Sequence, residues 1–484
     1  MTISVDGRGM GKSQTRRYGM REYDIRMSPV EFLDIVELRL EEEAGQHGRL
    51  SVSGHIRDED EELYLGLLSG DVWEQVQLVG KEGEVRTLFV GIVTDFTITC
   101  INDQKKLTLT VMTGSCLMDR QEHLRTWQDE ACTYEQIFLG ITAGYPESMA
   151  DFPQPYAEAA GELVLQYHET DWVFLKRLAS RRGQSLIPDP YRKGVRFSYG
   201  LPVGEAFQLP EGGKYRMRKD LNDYRDKTGR GLTLSESDCL EYIAEERELH
   251  RIGDYTVLYG ERFSLYKMTG RYEGGEMLFD CHMKKEKGLQ VPERYQLEMA
   301  GCSLSARVLS VKEDKVQVAV QNDENTGGTI NIWYPYATVY STPDGTGWYC
   351  MPEPGDSVRL TIPQKEERDA FVTSSVHVGT DSKDRKEPTH KVFKSRYQKE
   401  VRFTPDSIVI TNNQGTEISL TDEEGIQIIS AHSILLEAAQ DLTIASDTGS
   451  LLIAGDSSVN LQQKGTGIQL EDNILFVGGE LKIQ

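Results

Sequence analysis

Between Ser407 and Gln484 an apolar pair at positions i and i+2 recurs about every eight residues. The pairs are Ile408/Ile410, Ile418/Leu420, Ile426/Ile428, Ile434/Leu436, Leu442/Ile444, Leu451/Ile453, Val459/Leu461, Ile468/Leu470, Ile474/Phe476 and Leu481/Ile483. An i, i+2 pair places both side chains on one face of a strand. Polar residues such as Ser419, Gln427, Thr443, Asn460 and Gln469 stand between them. The joints are turn-formers: Asn412-Asn413-Gln414-Gly415, Asp422-Glu423-Glu424-Gly425 and Ser446-Asp447-Thr448-Gly449-Ser450. The pattern predicts a string of very short strands, each hiding two side chains.

One chain does not readily close a core from such pieces. A single-chain solenoid takes roughly twenty residues per circuit, so eight cover one side of a narrow prism. Three intertwined copies, each covering one side per pass, solve the problem. The pairs from Ile408 to Leu470 then meet their symmetry mates on the axis, and backbone bonds run between chains. With strands about 4.8 Å apart, ten passes give a rod on the order of 40–50 Å. A thin trimeric needle is a mechanical part.

Upstream the pattern is different. Alternation over 32–40, 49–56, 73–79, 84–99 and 106–113 predicts strands and a first β-barrel, with the acidic run Asp58–Glu62 as a turn. Thr133-Tyr-Glu-Gln136 is a capping box that opens a helix ending at Gly144. Thr170 caps a second helix with Trp172, Leu175 and Leu178 on its apolar side, and Gly183 follows where a C′ glycine belongs. That helix is expected to pack between two hub barrels. Strands return over 195–199 and 241–281, the candidate second barrel. Dense short strands between 306 and 378 suggest a five-stranded OB-type barrel. The expected organisation is an arm at 1–22, a hub region at 23–300, an OB-fold domain at 301–380, a charged linker at 381–401 and a needle at 402–484.

The net charge of −23 argues against a nucleic-acid-coating surface and against docking on an anionic membrane. Seven scattered cysteines without a Cys-x-x-Cys favour free thiols over a disulfide framework. Residues 1–20 are polar and rich in glycine and arginine, unlike a signal peptide, and no apolar run spans a bilayer. The expected place of assembly is the cytoplasm.

No segment offers enzyme chemistry. Gly7-Arg-Gly-Met-Gly-Lys-Ser13 resembles the end of a P-loop, but Asp6 stands where the first glycine is needed. The nine histidines form no HxxxH pair. Asp58-Glu-Asp-Glu-Glu62 lacks the EF-hand glycine, and no Gly-x-Ser-x-Gly elbow occurs. Neither cofactor nor metal is expected, and paired carboxylates distant in sequence stay open.

Leu163-Val-Leu-Gln-Tyr-His-Glu-Thr-Asp-Trp-Val-Phe-Leu-Lys-Arg-Leu-Ala179 resembles the QY-x-ETD-x-FL-x-RL stretch of VgrG spikes and of late control D proteins of contractile-tail phages. Residues 306–320, then Trp348-Tyr-Cys-Met-Pro-Glu-Pro-Gly-Asp-Ser-Val358, are similar to the OB domain of the same spikes. The resemblance implies a mainly β homotrimer: a hub of two β-barrel domains with inserted helices, an OB-fold domain and a C-terminal triple-stranded β-helix. It further implies that the hub adapts a sixfold tail tube to a threefold membrane-piercing needle, in a phage tail, an R-type tailocin or a type VI-like system. Tail tube and baseplate proteins would be its partners, without nucleic acid. The needle end carries no histidine between 477 and 484, which implies a separate PAAR-type tip protein. Two alternatives stay open. One is a tail-associated peptidoglycan hydrolase, disfavoured because only about twenty residues separate OB domain and needle. The other is a glycan-binding β-helical fibre, disfavoured because Phe476 is the only aromatic residue beyond Ser407.

Overall fold

The computed structural model describes residues 23–210, 212–379, 382–470 and 474–477. The 1–22 arm with its Gly7–Ser13 motif, and the Leu481/Ile483 pair, lie outside the described residues. The chain divides into two compact units, Met1–Val378 and Gly379–Gln484.

The first unit opens with six strands: β1 (Tyr23–Ser28), β2 (Asp34–Glu43), β3 (Arg49–His55), β4 (Trp73–Gly80), β5 (Val85–Ile101) and β6 (Gln104–Met112). Between β3 and β4 the acidic run expected as a turn leads instead into helix α1 (Glu61–Leu68). Acidic residues favour a helix N-terminus, and Tyr64 and Leu68 give it a buried side.

A mixed insertion follows: β7 (Glu122–Trp127), α2 (Tyr134–Thr142), β8 (Met149–Asp151), β9 (Val164–Thr170), α3 (Asp171–Ser180), β10 (Leu186–Pro188) and β11 (Arg196–Tyr199). The Thr133 hydroxyl accepts from Gln136 N, and the Gln136 side chain accepts from Thr133 N, closing the capping box. Thr170 Oγ1 accepts from Val173 N at the start of α3. Gly183 has φ +68°, a conformation that suits glycine as the chain turns away.

Next come β12 (Tyr215–Lys219), α4 (Leu221–Gly229), β13 (Leu240–Glu246), β14 (Tyr255–Leu258), β15 (Glu261–Glu273) and β16 (Glu276–Lys284). These strands join the first six in one 11-stranded sheet, ordered β1-β4-β5-β6-β3-β2-β15-β16-β13-β12 with β14 on β15. The sequence predicts two barrels; the structure joins both strand sets through the β2–β15 seam and gives them one core. The seam needs close backbone approach. A Cβ at Gly270 would lie 3.1 Å from Leu40 Cβ and from the Phe279 ring.

The unit ends in a small barrel of β17 (Ser303–Lys312), β18 (Lys315–Val320), β19 (Tyr334–Pro335), β20 (Ser357–Thr361) and β21 (Phe371–Thr373), ordered β19-β18-β17-β20-β21. A parallel bridge between Tyr336 and Val372 brings the two end strands together. The Pro-Glu-Pro-Gly-Asp turn before β20 places Gly355 at φ +99°, with the Asp356 carboxylate accepting from Glu353 N.

The second unit is an antiparallel meander of β22 (Lys391–Lys394), β23 (Glu400–Phe403), β24 (Ser407–Thr411), β25 (Thr416–Thr421) and β26 (Gly425–Ser430). A three-stranded meander follows: β27 (Val459–Gln463), β28 (Thr466–Leu470) and β29 (Ile474–Val477). Strand β22 falls inside the segment expected as linker, because Lys391-Val-Phe-Lys394 pairs with Glu400–Phe403. Among the described residues no helix is long and apolar enough to cross a membrane.

Candidate functional site: the apolar ladders and the junction helix

The meander registers bring the apolar pairs together. Phe403 faces Ile408, Ile408 faces Leu420, and Leu420 faces Ile426. Alongside, Val401 faces Ile410, Ile410 faces Ile418, and Ile418 faces Ile428. Two parallel ladders therefore line one face of the sheet. In the last meander Val459 faces Leu470 and Leu461 faces Ile468. The backbone differs from the expectation of bonds between chains: from β22 to β26 the strands bond within one chain, because their tight turns suit hairpins.

The ladders are not covered. Among the isoleucines and leucines from Ile408 to Ile428, exposure of the ladder residues runs from 37% at Ile408 to 70% at Ile426. Ile434, Leu436, Leu442, Ile444, Leu451 and Ile453 lie in no strand and are also more than half exposed. The buried side chains of this unit are instead Glu400 and Ser419 among the described residues. A contiguous open apolar face marks an interaction surface.

The junction helix α3 packs in a second core of the first unit. Trp172, Leu175 and Leu178 are fully buried in a second core with α2, β10 and β11, where Phe138, Phe174 and Phe197 pack. Its opposite side is charged and buried. Arg177 donates to both Glu169 oxygens, to Leu165 O and to Glu367 Oε1 at 2.8 Å. Arg181 donates to the other oxygen of Glu367 and to Tyr134 OH. Burial works against the Arg177 charge, but Glu367 and Glu169 outweigh it and hold its pKa above the ordinary value. Glu367 belongs to the small barrel, so this clamp fastens the barrel to the helix. At the start of α3, Asp171 accepts from Arg125, Gln166 and Tyr145. A second set of bonds runs from β7 to the barrel: Asp323 accepts from Thr126 N, and Tyr334 OH donates to Gln128.

The motif Gln166…Glu169-Thr170-Asp171-Trp172…Arg177 is thus a joint whose parts each have a partner. The sequence singles out its apolar residues and passes over Arg177 and Glu367. The one available signal is an arginine facing inward on a helix of leucine, phenylalanine and tryptophan.

A Ser-His-Asp arrangement also occurs. His47 Nδ1 is 2.8 Å from Ser115 Oγ, and Nε2 is 2.8 Å from Asp119 Oδ2. Burial raises the Asp119 pKa, while bonds from His47 and Thr170 bring it below the ordinary value. Ser115 is fully buried and already 2.9 Å from Thr113 Oγ1. A nucleophile needs an open approach, and this serine has none. The His47 ring lies 4.7 Å from Trp172, so the group braces α3. Among the described residues, no three His, Cys, Asp or Glu side chains are placed to hold a metal ion.

No family model and no curated protein matches the chain by sequence. Solved structures do. An E. coli component of the type VI secretion system, described as structurally similar to the T4 phage tail proteins gp27 and gp5, matches with TM-score 0.51 and 14% identity over 72% of this chain and 99% of that one. A lidless PdpA-VgrG complex matches with TM-score 0.56 and 9% identity over 84% and 98%. The lidded Francisella PdpA-VgrG complex matches with TM-score 0.55 and 10% identity over 85% and 80%. The chain shares its mainly β fold with these type VI secretion and PdpA-VgrG structures.

Proposed function

We propose that this chain is the hub-spike subunit at the tip of a contractile injection machine, acting as a homotrimer by force rather than by catalysis. The observation that carries this reading is the pair of apolar ladders, repeated along the second unit and left half-exposed in the single chain. Three copies cover one another's ladders. Each half-exposed isoleucine or leucine so buried adds on the order of 1 kcal/mol. The second unit becomes a triple-stranded β-helix that pierces the target envelope, with a PAAR-type protein at its end. The pairs from Ile408 to Leu470 form its axial core. The small barrel acts as an OB-fold collar, and the large sheet builds the ring that adapts a sixfold tube to the threefold needle. Tail tube and baseplate proteins dock on that ring. Assembly takes place in the bacterial cytoplasm, and the product joins a phage tail, a tailocin or a type VI-like particle. The fold likeness to tail and secretion-system proteins supports this role.

The test is the native mass by light scattering behind a sizing column, with negative-stain images of the peak. The expected result is three times the 54.7 kDa chain mass and a club with a thin stalk. A compact particle of one chain mass overturns the reading.

A further inference from the structure

A cleft of about 1110 Å³ opens in the first unit between the start of β5, strands β8 and β11, and the 187–192, 202–207 and 248–254 segments. Two covered side chains in its lining each carry an oxygen with no hydrogen-bond partner, Glu42 Oε1 and Ser198 Oγ. Glu42 is 4% exposed and Ser198 7%. Strand β10 brings these distant positions to one cleft. Gly45 N, just past β2, donates to Leu186 O at 2.8 Å, and the next residue, Ile187, lies opposite Ser198. The other Glu42 oxygen meets Tyr191 OH at 3.5 Å, a long bond. A buried acceptor without a donor is costly.

The arginines of the cleft do not supply that donor. Arg192 binds Asp189 at 2.6 Å, Arg196 donates to Lys193 O at 2.8 Å, and Arg251 lies over the Tyr191 ring. Arg86 stands exposed on β5. Asp189 and Asp254 accept from Tyr191 N and Arg251 N, whereas Glu42 has no backbone donor. Burial pushes the Glu42 pKa up to about 8, the Tyr191 hydroxyl pulls it back, Asp189 raises it and Arg251 opposes. Its carboxyl therefore holds a proton at pH 7. Beside these polar groups, Val85, Met149 and Val203 line the cleft as exposed apolar side chains. The volume exceeds the roughly 300–1,000 Å³ of pockets that take a drug-sized molecule, so it suits a segment of chain better than a lone ion. We propose that this cleft binds an arginine of a partner protein, presented on a segment with apolar neighbours, its guanidinium paired with Glu42 and a further donor of the segment with Ser198. A guanidinium offers a planar fork of donors and no acceptor, which fits a carboxylate better than an ammonium does. The Glu42 proton leaves to solvent as the pair forms.

The test titrates the full chain with the blocked tripeptide acetyl-Val-Arg-Val-amide, by calorimetry at pH 7 in two buffers of different ionisation enthalpy. The expected result is saturable binding with release of about one proton. Affinity is expected to fall about tenfold or more in Glu42→Gln, or when citrulline replaces the peptide arginine, and by less in Ser198→Ala. Both variants are close in size to the residues they replace, and thermal unfolding verifies that the fold is kept. Absence of binding at millimolar peptide overturns the proposal, as does equal affinity of Glu42→Gln or of the citrulline peptide. Equal affinity for agmatine makes the occupant a small organic cation and overturns the partner segment. A native mass that falls in Glu42→Gln assigns the cleft to another copy of this chain and overturns it too. None of these outcomes depends on the injection-machine reading.

Discussion

The two units treat the same residue types in opposite ways. In Met1–Val378, Leu38, Leu50, Leu88 and Leu107 are fully buried. In Gly379–Gln484, isoleucines and leucines stand open while Glu400 and Ser419 are covered. The first unit writes its core for one chain. The second writes half a core, which the proposed trimer would complete with copies of itself. Apolar content therefore does not measure self-sufficiency; the face that content occupies does.

The strongest way to break this contrast is Leu436→Asp with Ile444→Asp. In the proposed trimer six carboxylates meet on the axis, where unpaired buried charge is severely penalised. The expected outcome is a light-scattering mass of one chain. Trimers that persist, including in SDS, remove these residues from the axis. The next largest effect belongs to the first unit. Arg177→Ala leaves Glu169 buried without its cation and Glu367 with Arg181 alone, and is expected to cost about 3–5 kcal/mol in the unfolding of that unit. Leu175→Ala, which opens a cavity in the α3 core, is expected to cost about 2–5 kcal/mol. Denaturant unfolding followed by tryptophan fluorescence checks both, and native mass is expected to stay at that of the assembly.

A subtler effect sharpens the comparison through pH. Glu74 is fully buried, accepts from Val30 N and has one oxygen without a partner. Burial raises its pKa from 4.5 to about 8. The folded state keeps a proton that the unfolded state loses above 4.5, so stability from this group falls as pH rises toward 8. Glu74→Gln is expected to flatten the stability–pH slope between pH 5 and 7 by about 1 kcal/mol per pH unit. The smallest effect is expected at Ile429→Ser. Ile429 faces Glu417 on the side away from the ladders, so its loss is expected to change the melting of the assembly by under about 0.5 kcal/mol.

Short-range features were legible in the sequence. The caps at Thr133 and Thr170 and the apolar pairs follow from spacing of a few residues. Partners far apart were not. Arg177 and Glu367 are separated by 190 positions, and nothing local marks them as a pair. The β2–β15 seam joins Glu43 to Lys267, and two runs of strands read equally well as two barrels. Helix α1 hides behind acidic residues that also suit a turn. Helix α4 hides because it is polar, and its start depends on Asp220 accepting from Asn222 N and Asp223 N.

The self-bonded meander from β22 to β26 has a kinetic consequence. Its contacts are local in sequence, and local contacts form early. Residues 431–458 form no strand within the chain and, in the proposed trimer, wait for other copies. There, three meanders meeting through their ladders would fix which residues of each chain pair before the following stretch winds. Register errors would be confined to the meanders, where a one-residue slip turns every isoleucine outward. In the proposed trimer the meander would be the starting clasp from which the rest zips.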